Sequence, residues 1–267
     1  MQPFEVICFD DGSELYFKEK NRLVAQLENV RYDEMPENLG RSAIRNALGM
    51  AAKFQYLLFM DCDSKVVHND YVKTYLNHLS PGSLLYGGRC YAPQIPDNQT
   101  LILHWKYGIQ REQKSVEERQ VHPWHSFMTN NFVLPKAVFL ENLFDESLKQ
   151  YGHEDTLFGL QLAARNVRII HLENPLEHIG LEPAVSFLRK TEQGINNLYH
   201  LWKRGTPIDT KLLRYFTNLK KWQLAGALSF IFKLAEPFLK KNLHSQHPNL
   251  KVFDFYKLGY LCQISKE

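Results

Sequence analysis

What most constrains this chain is an apolar run that ends in a cluster of acids, and the pattern occurs twice. Residues 4–9 (FEVICF) run straight into Asp10, Asp11, Gly12 and Ser13, and residues 55–60 (QYLLFM) run straight into Asp61, Cys62 and Asp63. Short apolar runs bounded by turn formers predict buried strands. Between them, residues 41–53 are Ala-rich, and Ala43, Ile44, Ala47, Leu48 and Ala51 share one helix face. Strand, helix and strand in alternation predict βαβ units and a mostly parallel sheet. In such sheets, loops and helix N-termini converge on the strand C-termini, so both acid clusters fall on the edge where ligands bind.

The alternation continues along the chain. A helix is predicted over 14–27, a weaker strand over 30–35, a helix through Tyr71, Tyr75 and Leu79, and a strand over 83–91. Further strands are predicted over 128–134 and 167–172, with a helix opening after Gly152. From about residue 206 the chain turns helical and basic: between Lys203 and Lys251 the only acids are Asp209 and Glu236. The expected organisation is an α/β unit over 1–205 and a helical extension over 206–267.

Composition narrows the class. With 267 residues, 44% of them hydrophobic, the chain has a full core and is neither disordered nor a small disulfide-stapled scaffold. A net charge of +3 does not mark a nucleic-acid binder, and no nucleic-acid partner is expected. Cys8, Cys62, Cys90 and Cys262 form no CxxC pair, which fits reduced thiols and a cytoplasmic setting. Acids at Glu5, Asp10 and Asp11 argue against a signal peptide, and no apolar run reaches the roughly 18 residues of a membrane span.

Several residues could carry chemistry. Asp61 and Asp63, one residue apart at a strand end, could hold a hard divalent cation through oxygen ligands, or simply form a solvated turn. Asp10 and Asp11 have the same two readings, a turn or an acceptor for a nucleobase edge or ribose. Asn38, Gly40, Arg41 and Arg45 mark a turn and helix start, where free N–H groups and a cation suit a diphosphate; a solvated helix face is the alternative for Arg45. Glu154 and Asp155, after His153, either complement a helix dipole or provide a general base. His178 is structural or a ligand. Trp105, Tyr107, Trp124 and His125 could stack on sugar rings or belong to the core.

In their order and spacing, the segments FEVICFDDGSE, ENLGRSAIRNALGMA, YLLFMDCDS, TNNFVLPKAVF, GHEDTLFGLQL and HIG closely resemble the inverting GT-A glycosyltransferases of family 2. The resemblance runs from Phe4 to about Trp202. It implies the GT-A nucleotide-diphospho-sugar transferase fold, a mostly parallel Rossmann-like sheet flanked by helices, with the C-terminal helices as an extension. It implies transfer of a sugar from a nucleotide-diphosphate sugar of the UDP type to a glycan or lipid-linked acceptor, with Mn2+ or Mg2+ as cofactor, as in polysaccharide biosynthesis.

Carried over residue by residue, the resemblance makes Asp11 the base-contacting acid with Asp10 beside it, and places Asn38, Gly40 and Arg41 at the nucleotide. Asp61 and Asp63 resemble the DxD motif, Asp63 binding metal and Asp61 the sugar or ribose and the metal site. His178 resembles the late His that completes that site. Asp155 matches the catalytic base, with Glu154 near the acceptor, and Asn130, Asn131 and Trp124 fall where donor sugar or acceptor is lined. Relatives carry a strand, a Pro-Thr-Tyr-Asn type loop and a helix ahead of DDGS, whereas here Met1-Gln2-Pro3 leads directly to it, so the sheet is expected to begin with the family's second strand.

Two other readings follow from the residues. DCDS also fits an aspartyl-phosphate phosphatase of the haloacid dehalogenase type, and without a first strand the chain could be a silent nucleotide-sugar or carbohydrate-binding remnant. For residues 222–239, a core helix is the first reading and a helix lying peripherally on an anionic membrane the second.

Overall fold

The computed structural model describes residues 3–148 and 151–266. Val6–Asp10 (β1) and Val30–Glu34 (β2) pair in parallel. The helix expected between them is short, Leu15–Asn21 (α1), and passes into a 3-10 turn at Arg22–Gln26. Neither piece buries a residue, so packing supports no longer helix.

Arg41–Ala51 (α2) forms where expected but turns a different face inward. Ser42, Arg45, Asn46 and Gly49 are its buried residues; Arg45 and Asn46 meet specific polar partners and Gly49 packs against the Phe139 ring. The Asn46 side chain donates to the Phe144 carbonyl at 3.0 Å and accepts from the Phe144 amide at 2.9 Å. Polar groups with partners can occupy a core face that an apolar pattern does not mark.

The next strands are Tyr56–Met60 (β3) and Ser64–Val66 (β4), followed by the helix Tyr71–His78 (α3). The strand expected over 83–91 is two strands, Ser83–Tyr86 (β5) and Arg89–Cys90 (β6), broken at Gly87-Gly88. A Cβ on Gly87 would lie 2.3 Å from the Asn174 carbonyl oxygen, so only glycine lets the chain turn there. Ile102–Tyr107 (α4) runs into a π turn at Gly108–Glu112, and Val116–Val121 (α5) precedes Asn131–Pro135 (β7) and Lys136–Glu141 (α6). Glu154–Ala164 (α7), Arg168–His171 (β8) and Leu176–His178 (β9) complete the α/β part.

The strands form a four-stranded sheet, β3-β7-β5-β8, and a three-stranded one, β4-β9-β6, beside the β1-β2 pair. Strand directions are evenly mixed rather than mostly parallel: β7 runs antiparallel to both β3 and β5, and β4 antiparallel to β9. An apolar run reads the same in either direction, so strand polarity is set by the path of the preceding segment. Among the described residues, β1 pairs only with β2 and β3 only with β7, and Leu58 and Met60 on β3 are exposed.

The central core is aromatic, with Phe59 stacked on Phe132 at 4.8 Å and Phe144 on Phe158 at 4.2 Å. Four helices follow: Ala184–Lys203 (α8), Lys211–Lys221 (α9), Ala225–Leu243 (α10) and Leu250–Ile264 (α11). They share cores with the α/β part: Leu148 and Leu157 pack with Leu198, Phe216 and Leu261, and Leu103 packs with Phe232, Phe253 and Tyr256. No described helix is long and apolar enough to cross a membrane.

Candidate active site

The register of β4 on β9 joins two segments far apart in sequence. Ser64 lies opposite His178, and the Ile179 amide donates to the Asp63 carbonyl at 2.9 Å. Asp63 Oδ1 and His178 Nδ1 are thereby 3.5 Å apart. Gly180 makes room for this: a Cβ there would sit 2.7 Å from the Asp63 Cβ and carboxylate. The His178 ring beside it holds Asp63 below the usual carboxylate range. Asp63 Oδ1 and both His178 ring nitrogens are buried with no hydrogen-bond partner. One carboxylate oxygen and one imidazole nitrogen fit Mn2+ or Mg2+, which take their remaining ligands from water and phosphate oxygens.

The Asp61 carboxylate, expected at the same metal site, is instead engaged by arginines. Arg45 Nη2 donates to its Oδ1 at 2.7 Å, and Arg41 Nη2 and Arg89 Nη2 lie 3.6 and 3.8 Å from its Oδ2. Among the described residues, no three His, Cys, Asp or Glu side chains gather as a metal-binding group. Of the three residues expected at a metal, only Asp63 and His178 face one another, and Asp61 is the hub of a guanidinium cluster. Arg89, which sequence reading missed, also pairs with Glu112 at 3.1 Å, and Tyr91 donates its hydroxyl to the same carboxylate. Burial pushes Glu112 upward, but Arg89 and Tyr91 outweigh it and keep it low. The π turn places Glu112 under Arg89, a local distortion that no periodicity in the sequence reveals.

The start of α7 closes the other side. His153 caps it in the left-handed region at φ 72°, and Glu154 Oε2 accepts from the Gly152 amide at 3.0 Å. Arg41 Nε donates to Glu154 Oε1 at 2.9 Å, and the Arg41 guanidinium lies over the Tyr151 ring at 5.0 Å. Burial opposes the charge on Arg41, but Glu154 and Asp61 more than restore it. Asp155 Oδ1 accepts from the Thr156 amide at 2.7 Å. Burial first, then the charge of Glu154, push Asp155 up to about 6.

These elements surround a cavity of about 310 Å3. Arg41, Asp61, Asp63, Arg89, His104, Glu112 and His178 form its α/β wall, with Tyr151, Gly152 and His153 at the mouth of α7. Asp155 follows in the first turn of α7, two residues beyond His153, and does not itself line the cavity. Lys190, Thr210, Leu212, Phe253 and Lys257 form the opposite wall, none of them singled out in the sequence. Burial drives His104 down to about 4, so it stands there as a neutral imidazole.

The other expected residues lie outside this cavity. The Asp11 carboxylate accepts from the Leu39 and Gly40 amides at 2.7 and 3.1 Å, and Asn38 Nδ2 donates to the Asp11 carbonyl at 2.9 Å. Asp11, Asn38 and Gly40 are thus brought together at the N-terminus of α2. Asp10 is buried and accepts from the Ser13 amide at 2.7 Å.

The acceptor assignments of Asn130, Asn131 and Trp124 are corrected. Asn131 is fully buried: its Oδ1 accepts from Tyr71 and Tyr75 at 2.7 and 2.6 Å, and its Nδ2 donates to the Gly88 and Asn174 carbonyls at 3.0 and 2.9 Å. Asn130 is equally enclosed, and its backbone carbonyl accepts from the Asp61 amide. Trp124 spends its indole N–H on the Val167 carbonyl at 3.1 Å, away from the cavity.

A mixed α/β sheet flanked by helices, with its acid clusters at the strand ends, is the GT-A glycosyltransferase fold. The chain belongs to glycosyl transferase family 2, whose family model matches residues 1–134. It is 27% identical over 198 aligned residues to a chondroitin synthase of Escherichia coli, covering 60% of this chain and 28% of that protein. It is 25% identical over 197 residues to a hyaluronan synthase of Pasteurella multocida, covering 60% of this chain and 20% of that one. The chain thus spans between a fifth and little more than a quarter of the length of these curated relatives. Among solved structures, the mannosyltransferase PcManGT from Pyrobaculum calidifontis, in complex with GDP-Man and Mn2+, superposes with a TM-score of 0.58 at 14% identity, covering 98% of this chain and 77% of that one. Family membership sets aside the phosphatase reading.

Proposed function

We propose that this chain transfers a sugar from a UDP-type nucleotide sugar to a glycan or lipid-linked hydroxyl by a single inverting displacement. The observation that carries this reading is the Arg41 bridge, which holds the end of β3 and the start of α7 across one cavity. In this reading Asp155 takes the proton from the acceptor hydroxyl as it attacks the anomeric carbon. A side chain titrating near 6 is ionised at neutral pH yet basic enough for that task. Glu154 orients the acceptor side, and Arg41, Arg45 and Arg89 supply positive charge around Asp61, where the donor's sugar and diphosphate are assigned. A divalent cation held by Asp63 and His178 would supply charge stabilisation for the departing diphosphate.

Asp10, Asp11, Asn38 and Gly40 are assigned to the nucleoside end of the donor, which N–H groups and carboxylates at a helix start suit. Donor binding is assigned to residues 1–205, and the acceptor-side wall to the helices of 206–267, which contribute Thr210, Phe253 and Lys257 to the cavity. Likeness to a chondroitin synthase and a hyaluronan synthase supports a glycan acceptor.

The test is Asp155→Asn. Calorimetry should show UDP binding with Mn2+ retained, while transfer from UDP-sugars falls by about 10² to 10⁴. Normal turnover in this variant overturns the assignment of the base.

A further inference from the structure

The last three helices carry a surface that the cavity does not use. On α10, Phe230, Ile231, Leu234 and Phe238 are 52–75% exposed, and Trp222 and Leu224 extend the stripe through the turn before it at 65% and 48%. Their spacing puts them on one side of the helix, while Phe232 and Leu243 on the opposite side are buried among Leu103, Phe253 and Tyr256. An apolar stripe of this extent on a water-facing helix marks an interaction surface.

Charge identifies what it meets. Residues 211–243 contain seven Lys and Arg and one acid, Glu236, which is already paired with Lys240 at 2.7 Å. Lys233 lies on one border of the stripe, beside the Lys240–Glu236 pair, and Lys221 and Lys241 stand near its two ends. A two-fold contact between copies would set these lysines against each other, which costs stability. A surface of negative charge above an apolar layer satisfies both features at once. We propose that α10 lies in the plane of an anionic lipid bilayer, its apolar stripe at the acyl boundary and its lysines among the headgroups. Trp222 occupies the headgroup level, where amphipathic rings are favoured. The proposal does not depend on the sugar-transfer reading, since it concerns binding alone.

Flotation of the full chain with phosphatidylcholine vesicles, with and without phosphatidylglycerol, tests it. The chain should float with the anionic vesicles only, and release as salt is raised. Phe230→Asp/Phe238→Asp should lower the bound fraction about tenfold or more with unchanged circular dichroism and Tm, because both side chains are exposed. Lys233→Glu/Lys241→Glu should abolish the preference for phosphatidylglycerol. In the unsubstituted chain, brominated lipid should quench the emission that Trp222→Phe removes, a readout independent of how the Asp variant folds. Failure to float, equal binding to neutral vesicles, or absent quenching overturns the proposal. So does a dimer in sedimentation velocity that the Asp variant dissolves, which would make the stripe a contact between copies.

Discussion

Arg41 Nε donates to Glu154 Oε1 at 2.9 Å, joining the first turn of α2 to the first turn of α7 across 113 residues of sequence. The same guanidinium reaches Asp61 at 3.6 Å. One side chain thus couples the strand that ends in DCDS to the helix that carries Asp155. The electrostatic consequence falls on Asp155, raised by Glu154 and lowered by Arg41 and Arg45.

The pH dependence follows from that balance. As the proposed base, Asp155 would have to be ionised to accept a proton, so kcat/KM should fall as pH drops through about 6. Glu154→Gln removes a like charge and should move this acid limb to lower pH. Arg41→Gln removes a favourable cation and should move it higher. The two limbs, measured on a UDP-sugar with saturating Mn2+, should shift in opposite directions; shifts in the same direction would exclude Asp155 as the titrating group.

Gly180→Ala should act through Asp63. The added Cβ would stand 2.7 Å from the Asp63 carboxylate and push it from His178. If this pair holds the metal as proposed, its displacement should weaken Mn2+ binding by about 10- to 100-fold, read by calorimetry, with little change in Tm. Unchanged Mn2+ affinity would separate Asp63 from metal binding.

Asn131→Ala separates a core role from an acceptor role. It removes the side-chain acceptor of the Tyr71 and Tyr75 hydroxyls and the Nδ2 donor of the Gly88 and Asn174 carbonyls, all buried; Tyr75 keeps the backbone carbonyl of residue 131 at 3.2 Å, and Gly88 keeps the Leu176 amide. Stability should fall by about 3 kcal/mol in urea unfolding, while the acceptor KM of the folded protein stays unchanged. A raised acceptor KM with unchanged stability would restore the acceptor role.

Asp11→Ala should loosen the loop ahead of α2, because two amide donors lose their acceptor. Hydrogen exchange at Leu39 and Gly40 should accelerate about tenfold or more relative to α3. UDP affinity, measured on the same protein, should fall if the carboxylate also serves the nucleoside end.

The positions of β1, β3, α2 and α7 were legible because apolar runs bounded by Gly, Asp and Asn leave few alternatives. The inward face of α2 was not, since Arg45 and Asn46 are buried by partners at Asp61, Phe144 and Glu146 that lie 16 to 100 residues away. Asp63 and His178 were legible as types at fitting positions in a motif series, but their meeting depends on the β4–β9 register. Arg89 and Glu112 were invisible because a glycine break and a π turn, neither periodic, aim them at the cavity. Asn131 misled for the opposite reason: a polar pair before a strand reads as a ligand contact, whereas its four bonds hold the core.

By itself the amino-acid sequence determined the family, the positions of β1, β3, α2 and α7 and the acids at the strand ends. These are local matters of side-chain type and spacing, governed by short-range backbone preferences. Only the tertiary structure decided which acids meet a histidine and which meet arginines, and which side of α10 faces water. Those outcomes depend on packing between distant segments, where burial makes each unpaired charge costly and so selects the partners.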